Sequence, residues 1–162
     1  MQNDLMERLV AEWGDESPGL DPSALLVVGR IMRLGRRFEA EAAAALKEFG
    51  LSYTEFDIIA TLKRSGPPYT LTPGQLIDAV LLTSGAMTAA LDRLQAASLI
   101  TRETSASDRR VRAAKLTAKG RRLAERAAAA RFEVAAAAIE QLSARDRKLA
   151  QQLLKRLDST AC

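Results

Sequence analysis

The sequence predicts a mainly α-helical fold with one small β-hairpin. Hydrophobic residues make up 48% of the 162-residue chain, but only 4% of residues are aromatic, and the many alanines favour helix over sheet. Most apolar residues recur at spacings of three and four, which places them on one face of a helix. The exception is the stretch 99–116, where two short apolar runs flank a polar segment and predict two strands joined by a turn.

The first predicted helix covers residues 4–13, and Gly14 is expected to end it. Its apolar residues share one face: Leu5, Met6, Leu9, Val10 and Trp13. Pro18 and Gly19 then indicate a linker. The first 22 residues carry six acidic residues and one Arg. We therefore treat residues 1–20 as an N-terminal helix with a linker.

A long helix is predicted next, within residues 21–50. Asp21 followed by Pro22 provides an N-cap and then a proline at the first helical position, and Gly50 provides a stop after Phe49. Its apolar stripe consists of Leu26, Ile31, Leu34, Phe38 and Leu46. Two glycines inside this segment lower its helix propensity, so packing has to stabilise it.

Three further helices are predicted before the hairpin. Capping boxes at Ser52–Glu55 and Thr72–Gln75 open the first two, and the second of these ends near Val80. Thr83 is the expected N-cap of the third, whose inner face carries Met87, Leu91 and Leu94. The last two helices form a helix-turn-helix pair.

The exposed start of the third helix and the hairpin tip have the chemistry of a DNA-binding surface. Small polar residues there can reach base edges in a major groove: Thr83, Ser84, Gly85 and Thr88. Guanidinium groups on the hairpin can reach phosphates or a minor groove: Arg109, Arg110 and Arg112. Nine Lys or Arg and three Asp or Glu lie between residues 101 and 126. Such a basic run is equally typical of a solvated surface, so charge alone leaves both interpretations open.

The C-terminal part is predicted to be two helices. Thr117 opens the first, which runs to about Gln141, and Ser143 opens the second. The second has an apolar stripe of Leu149, Leu153, Leu154 and Leu157. A stripe of this kind needs a packing partner.

Several classes of function are excluded by residues that the sequence lacks. It contains no His, and its one cysteine is the C-terminal Cys162, so the usual zinc sites and Ser-His or Cys-His catalysis are ruled out. We find no phosphate-binding glycine loop and expect neither a metal nor a cofactor nor enzymatic activity. No apolar run is long enough to span a membrane, and the N-terminus does not resemble a signal peptide. A cytoplasmic protein is therefore expected.

The predicted hairpin, together with the start of the helix that follows it, resembles the corresponding part of a known family. Asp108-Arg109-Arg110, followed by the run from Lys115 to Gly120, resembles the wing motif of MarR-family winged helix-turn-helix regulators. The resemblance extends from about Leu20 onward. It implies a dimeric MarR-like architecture in which residues 51–117 form the DNA-binding lobe, and residues 21–50 and 118–162 form the dimerisation helices. The interface would include Leu26, Leu149, Leu153 and Leu157.

The resemblance also implies a function. We expect a homodimeric regulator, a repressor of a pseudo-palindromic double-stranded DNA operator that responds to a small molecule. The alternative is a helical interaction protein of the same fold that has lost specific DNA binding.

The additional N-terminal helix resembles the PecS-like, urate-responsive branch of this family. That likeness implies an effector site formed by Trp13, Asp57, Arg93 and Arg102, in which either arginine could pair with Asp57. Trp13 could instead simply anchor its helix, and Asp57 could form a structural ion pair with an arginine. Ala89-Ala90 stands where relatives in that branch often carry a basic residue. The expected effector is therefore urate or another anionic or aromatic metabolite.

Overall fold

A computed structural model describes residues 4–80, 84–104 and 112–159. The described part is mainly helical with one small sheet, which confirms the predicted fold class. The elements in order are α1 (Leu5–Glu16), α2 (Leu25–Lys47), α3 (Tyr53–Arg64), β1 (Thr70–Leu71), α4 (Pro73–Val80), α5 (Ser84–Ala96), β2 (Ile100–Thr104), β3 (Arg112–Leu116), α6 (Ala118–Ala137) and α7 (Ala144–Asp158). The chain divides into two compact units, Met1–Glu41 and Ala42–Cys162, and each is described separately.

The first unit consists of α1 and most of α2. The Asp4 carboxylate caps α1 by accepting a hydrogen bond from the Met6 amide at 2.8 Å, and it pairs with the Arg30 guanidinium at 3.0 Å. Met6 is buried, and Gly29 gives it space, because a Cβ at Gly29 would lie 2.5 Å from the Met6 sulfur. Close packing of α1 therefore explains a glycine inside α2.

Two predicted helix ends in this unit are wrong. Gly14 does not end α1, which continues to Glu16, where the Ser17 amide donates to the Trp13 carbonyl at 3.0 Å. α2 begins at Leu25 rather than at Pro22, because the Asp21 carboxylate accepts from the Ser23 amide at 2.9 Å in a separate turn. A single glycine or proline therefore does not fix where these two helices end or begin. The hydrogen bonds at Ser17 and at Ser23 mark the observed boundaries.

The second unit contains a continuous hydrophobic core. It is enclosed by the end of α2, α3, α4, α5, the sheet and the first half of α6. Its largest fully buried side chains are Leu46, Ile58, Ile59, Leu62, Leu76, Met87, Leu94 and Ile100. The spacing of Met87, Leu91 and Leu94 on one face of α5 is confirmed, since all three are buried.

Four of the predicted N-terminal caps are confirmed. Ser52 and Glu55 form a reciprocal capping box at the start of α3, and Thr72 and Gln75 do the same at α4, with bonds of 2.8 and 3.3 Å. At the start of α6 the Thr117 hydroxyl accepts a hydrogen bond from the Gly120 amide, and at the start of α7 the Ser143 hydroxyl accepts one from the Asp146 amide. Of the other two predicted caps, Asp21 does not open α2, and Thr83 lies outside the described residues.

The sheet has three antiparallel strands in the order β1-β3-β2. In the β2–β3 hairpin, hereafter the wing, Ile100 pairs with Leu116 and Thr104 with Arg112. Strand β1 was not predicted, because two residues are too few to show an alternating pattern. α6 ends at Ala137, short of the predicted end near Gln141. No helix in the described ranges is long and apolar enough to cross a membrane.

Candidate functional site

α4 and α5 form the predicted helix-turn-helix, and α5 presents one face outward. Its inner face is buried through Met87, Ala90, Leu91 and Leu94. Thr88 lies on the exposed side together with Asp92 and Arg93. Ser84 and Gly85 lie in the first helical turn of α5. The side of α5 that carries Thr88, Asp92 and Arg93 is therefore open to solvent, where a DNA groove could receive it.

The wing arginines are only partly described. Arg112 is the first residue of β3 and is exposed. Arg109 and Arg110, like Thr83, lie outside the described residues. Thr88 and Arg112 are therefore the two predicted DNA-binding residues whose side-chain exposure the structure gives.

The base of the wing is fixed to the end of α5 by hydrogen bonds. The Thr117 hydroxyl donates to the carbonyls of Ser98 and Leu99 at 2.9 and 3.1 Å. The Lys119 ammonium donates to the Ala97 carbonyl at 2.8 Å. Farther out, Lys115 and Glu103 pair across the strands at 3.1 Å. These bonds set the direction in which the wing leaves α5.

Gly120 makes the same junction possible. It is buried in the first turn of α6, and a Cβ there would overlap the carbonyl oxygen of Leu99 and come within 2.9 Å of a Leu116 methyl group. The glycine of the wing motif is thus required by close approach of α6 to the start of β2.

A second candidate site is a groove of about 720 Å³ between α3 and α6. Its walls are alanines and aromatic rings, and its polar residues are mostly charged. The lining residues are Tyr53, Phe56, Asp57, Ala60, Lys63, Arg64, Ala124, Glu125, Ala128, Ala129, Arg131, Phe132 and Ala135. An apolar groove with a few charged groups is typical of small-molecule sites.

Asp57 is one of two carboxylates that line this groove, and Glu125 on α6 is the other. Asp57 is half-buried, and burial raises its pKa, while the charge of Arg64 acts in the opposite direction. A partly desolvated carboxylate in a concave site marks a candidate for ligand binding. Sequence reasoning missed Lys63 and Arg64, although Arg64 follows Asp57 by seven residues and so lies on the same face of α3.

Arg93 and Arg102 do not line this groove, so their expected role as partners of Asp57 is corrected. The Arg93 Nε pairs with the Glu55 Oε1 at 2.6 Å. The Arg102 Nη2 pairs with the Asp92 Oδ1 at 2.6 Å. Both arginines fix α5 to neighbouring elements instead. In the sequence, Glu55 is recognisable only as part of a capping box, and no local pattern marks Asp92 as a partner of Arg102.

The surroundings of Glu55 favour its ionised form on balance. Burial raises the pKa of Glu55, but the Ser52 amide and the Arg93 guanidinium outweigh this effect and hold the pKa below its usual value. The Ser52 amide donates to Glu55 Oε2 at 2.8 Å. The two carboxylate oxygens therefore have separate partners, one on α5 and one at the start of α3.

Trp13 belongs to the first unit and is half-exposed. It lines a shallow depression together with Glu12, Asp15 and Glu16 of the same helix. The structure therefore leaves its predicted effector role untested.

The predicted dimerisation residues are exposed to different degrees. Leu149, Leu153, Leu154 and Leu157, hereafter the leucine stripe, are each about half-exposed, and α7 has no buried residue. Leu26 in the first unit is partly buried.

A helix-turn-helix followed by an anchored β-hairpin defines the class of winged helix-turn-helix proteins. A family model described as the MarR family matches residues 49–111, which include the helix-turn-helix and the first strand of the hairpin. The transcriptional regulator PecS of Dickeya dadantii is 35% identical over 112 residues, covering 69% of this chain and 68% of PecS. The repressor Rv2887 of Mycobacterium tuberculosis is 32% identical over 129 residues, covering 80% and 91%.

Solved structures agree with this relationship. Rv2887 in complex with p-aminosalicylic acid is 30% identical with a TM-score of 0.63, covering 81% of this chain and 98% of that one. AbsC of Streptomyces coelicolor shares the fold at 20% identity with a TM-score of 0.77, covering 87% and 95%. The chain belongs to the MarR family. It is a DNA-binding transcriptional regulator and not an enzyme.

Proposed function

We propose that the protein is a homodimeric repressor that binds a pseudo-palindromic operator and leaves it when a small aromatic or anionic molecule occupies the groove between α3 and α6. In a two-fold dimer, the two α5 helices would enter half-sites about 10 bp apart. The wing would contact the adjacent backbone, and the affinity would fall steeply with salt as Lys and Arg displace counterions.

The proposed coupling between ligand binding and DNA release rests on the position of α3. One face of α3 lines the groove through Tyr53, Phe56 and Asp57. Another face packs in the core shared with α5. A ligand that shifts α3 would therefore act on the DNA-binding helix, to the extent of its differential affinity for the two arrangements.

The chemistry of the groove favours an aromatic ligand with an anionic group. Tyr53, Phe56 and Phe132 offer ring faces. The three cations Lys63, Arg64 and Arg131 outnumber the carboxylates Asp57 and Glu125, and Lys63 pairs with Glu125 at 3.5 Å. Asp57, when protonated, could donate a hydrogen bond to such a ligand. Because Rv2887 binds p-aminosalicylic acid, we include that molecule with urate, other purines and phenolic carboxylates as the first candidates.

DNA binding is tested by replacing Arg112 with Ala. An operator would first be selected from random duplexes, and affinity measured by gel shift over a range of salt concentrations. If Arg112 contacts a phosphate, the salt slope should fall by about one, and if it reaches a base edge the loss should be about 1–3 kcal/mol. Lys155→Ala removes one positive charge from an exposed position of α7, on the side opposite Leu149, Leu153 and Leu157, and serves as the control. Failure of the wild type to select any sequence would favour the alternative of an interaction protein.

The groove is tested by ligand binding and release. A true effector should raise the melting temperature of the free protein, because it binds the native state, and should release operator DNA at the same concentrations. Asp57→Asn should weaken both responses to p-aminosalicylic acid or urate. Asp78→Asn, on the exposed side of α4, is the control. Wild-type responses in Asp57→Asn would place the effector elsewhere, and Trp13→Phe would then test the first unit.

The raised pKa of Asp57 predicts that the difference in stability between the wild type and Asp57→Asn depends on pH. The native pKa of Asp57 is raised, so the native state favours the protonated form and is penalised at pH values above the pKa. Asp57→Asn should therefore be more stable than wild type in urea at pH 7. The difference should shrink as the pH falls toward the raised pKa. An equal or lower stability at pH 7 would show that the ionised carboxylate is compensated by its surroundings.

A further inference from the structure

Two adjacent residues near the end of α5 form ion pairs with different elements. In one pair α5 supplies the cation, and in the other it supplies the anion. Arg93 reaches Glu55 on α3, and Asp92 reaches Arg102 on β2, each at 2.6 Å. Neighbouring positions on a helix point in different directions. The two contacts therefore fix the rotation of α5 about its axis relative to both α3 and the wing.

Glu55 is the buried end of this arrangement. Its side chain is 11% exposed, against 58% for Arg93, and its second oxygen is held by the Ser52 amide. Ser52 in turn caps the same helix through its hydroxyl. A carboxylate fixed by its own helix N-terminus gives Arg93 a rigid anchor, whereas a flexible surface partner would contribute little.

We propose that Glu55 is a positioning residue for DNA binding, which acts through Arg93 to hold α5 in the orientation that reads the operator. Glu55 itself does not touch DNA. The capping box alone does not account for its pairing with Arg93, because a capping box needs only the Ser52 contacts.

For the variant Glu55→Gln, this role and simple electrostatics predict opposite changes in the affinity for operator DNA. Glu55→Gln removes a negative charge, so charge alone would tighten binding to DNA. Loss of positioning would instead weaken binding to the selected operator while leaving non-specific binding unchanged or slightly tighter. Gln retains the capping-box chemistry, so we expect the variant to fold with a melting temperature close to that of the wild type.

The experiment compares Glu55→Gln, Arg93→Gln and the double variant, using the selected operator and a random duplex in gel shifts. We expect each single variant to lose about three- to tenfold in operator affinity, within the range seen for coupled contacts. The double variant should lose no more than either single one, because each change breaks the same pair. Glu48→Gln, an exposed position in the same unit, is the charge-matched control and should not lose operator affinity.

Three results would overturn the proposal. One is unchanged or tighter operator binding in Glu55→Gln. Another is additive losses in the double variant, which would mean that Arg93 contacts DNA independently of Glu55. The third is an equal loss on operator and random duplex, which would indicate general destabilisation of the unit.

Discussion

Leu153→Asp is expected to give monomers in light scattering and to abolish operator binding. Leu153 is the centre of the leucine stripe, and the stripe is about half-exposed in the isolated chain. A row of exposed leucines on a helix without any buried residue is typical of a surface covered by another subunit. Burying an unpaired carboxylate there would cost several kcal/mol, and a monomer could engage one half-site only.

The control for this prediction is Lys155→Asp. It introduces the same residue into the same helix, at an exposed position on the side away from the leucine stripe, and should remain dimeric. A Leu153→Asp variant that stays dimeric and binds the operator would move the interface away from α7. The exposed apolar residues of α2, such as Val27 and Met32, would then be the next surface to test by the same substitution.

Local chemistry explains why much of the fold could be predicted. The capping pairs Ser52–Glu55 and Thr72–Gln75 lie three residues apart, and each satisfies amides that any helix start leaves unpaired. The buried face of α5 follows from the spacing of Met87, Leu91 and Leu94. Each of these signals is contained within one turn or one helix, so the sequence is sufficient to find it.

The contacts between elements could not be found in this way. Glu55 and Arg93 are 38 residues apart, and no periodicity relates them. Asp57 was identified as a carboxylate that needed a cation, but Arg64 was overlooked in favour of more distant arginines. Partner choice depends on how α3, α5 and α6 pack against one another, and that packing is decided by the whole core.

The structural role of the glycine in the wing motif also depends on contacts between elements. Its position in the motif was visible in the sequence, but its reason was not. Gly120 lies where α6 passes the start of β2, and the Leu99 carbonyl that faces it already accepts the Thr117 amide at 3.0 Å. The oxygen is part of the junction between α5, the wing and α6, so it cannot move without disturbing all three.

Gly120→Ala is therefore expected to destabilise the protein and weaken operator binding. In an unhindered helix the change would be favourable by up to about 1 kcal/mol. Here the added methyl group overlaps backbone, which cannot rotate away as a side chain can, and overpacking of this kind typically costs about 1–3 kcal/mol. We expect a net loss in the free energy of unfolding in urea. Operator affinity should also fall, because the base of the wing is displaced from α5.

Gly14→Ala is the matched control for Gly120→Ala. Gly14 lies inside α1 with nothing within 4 Å of the added Cβ, so this variant should be as stable as the wild type or more so. If Gly120→Ala were also as stable as the wild type and bound the operator equally well, α6 could shift without cost. The wing would then not depend on the junction at Leu99 for its position.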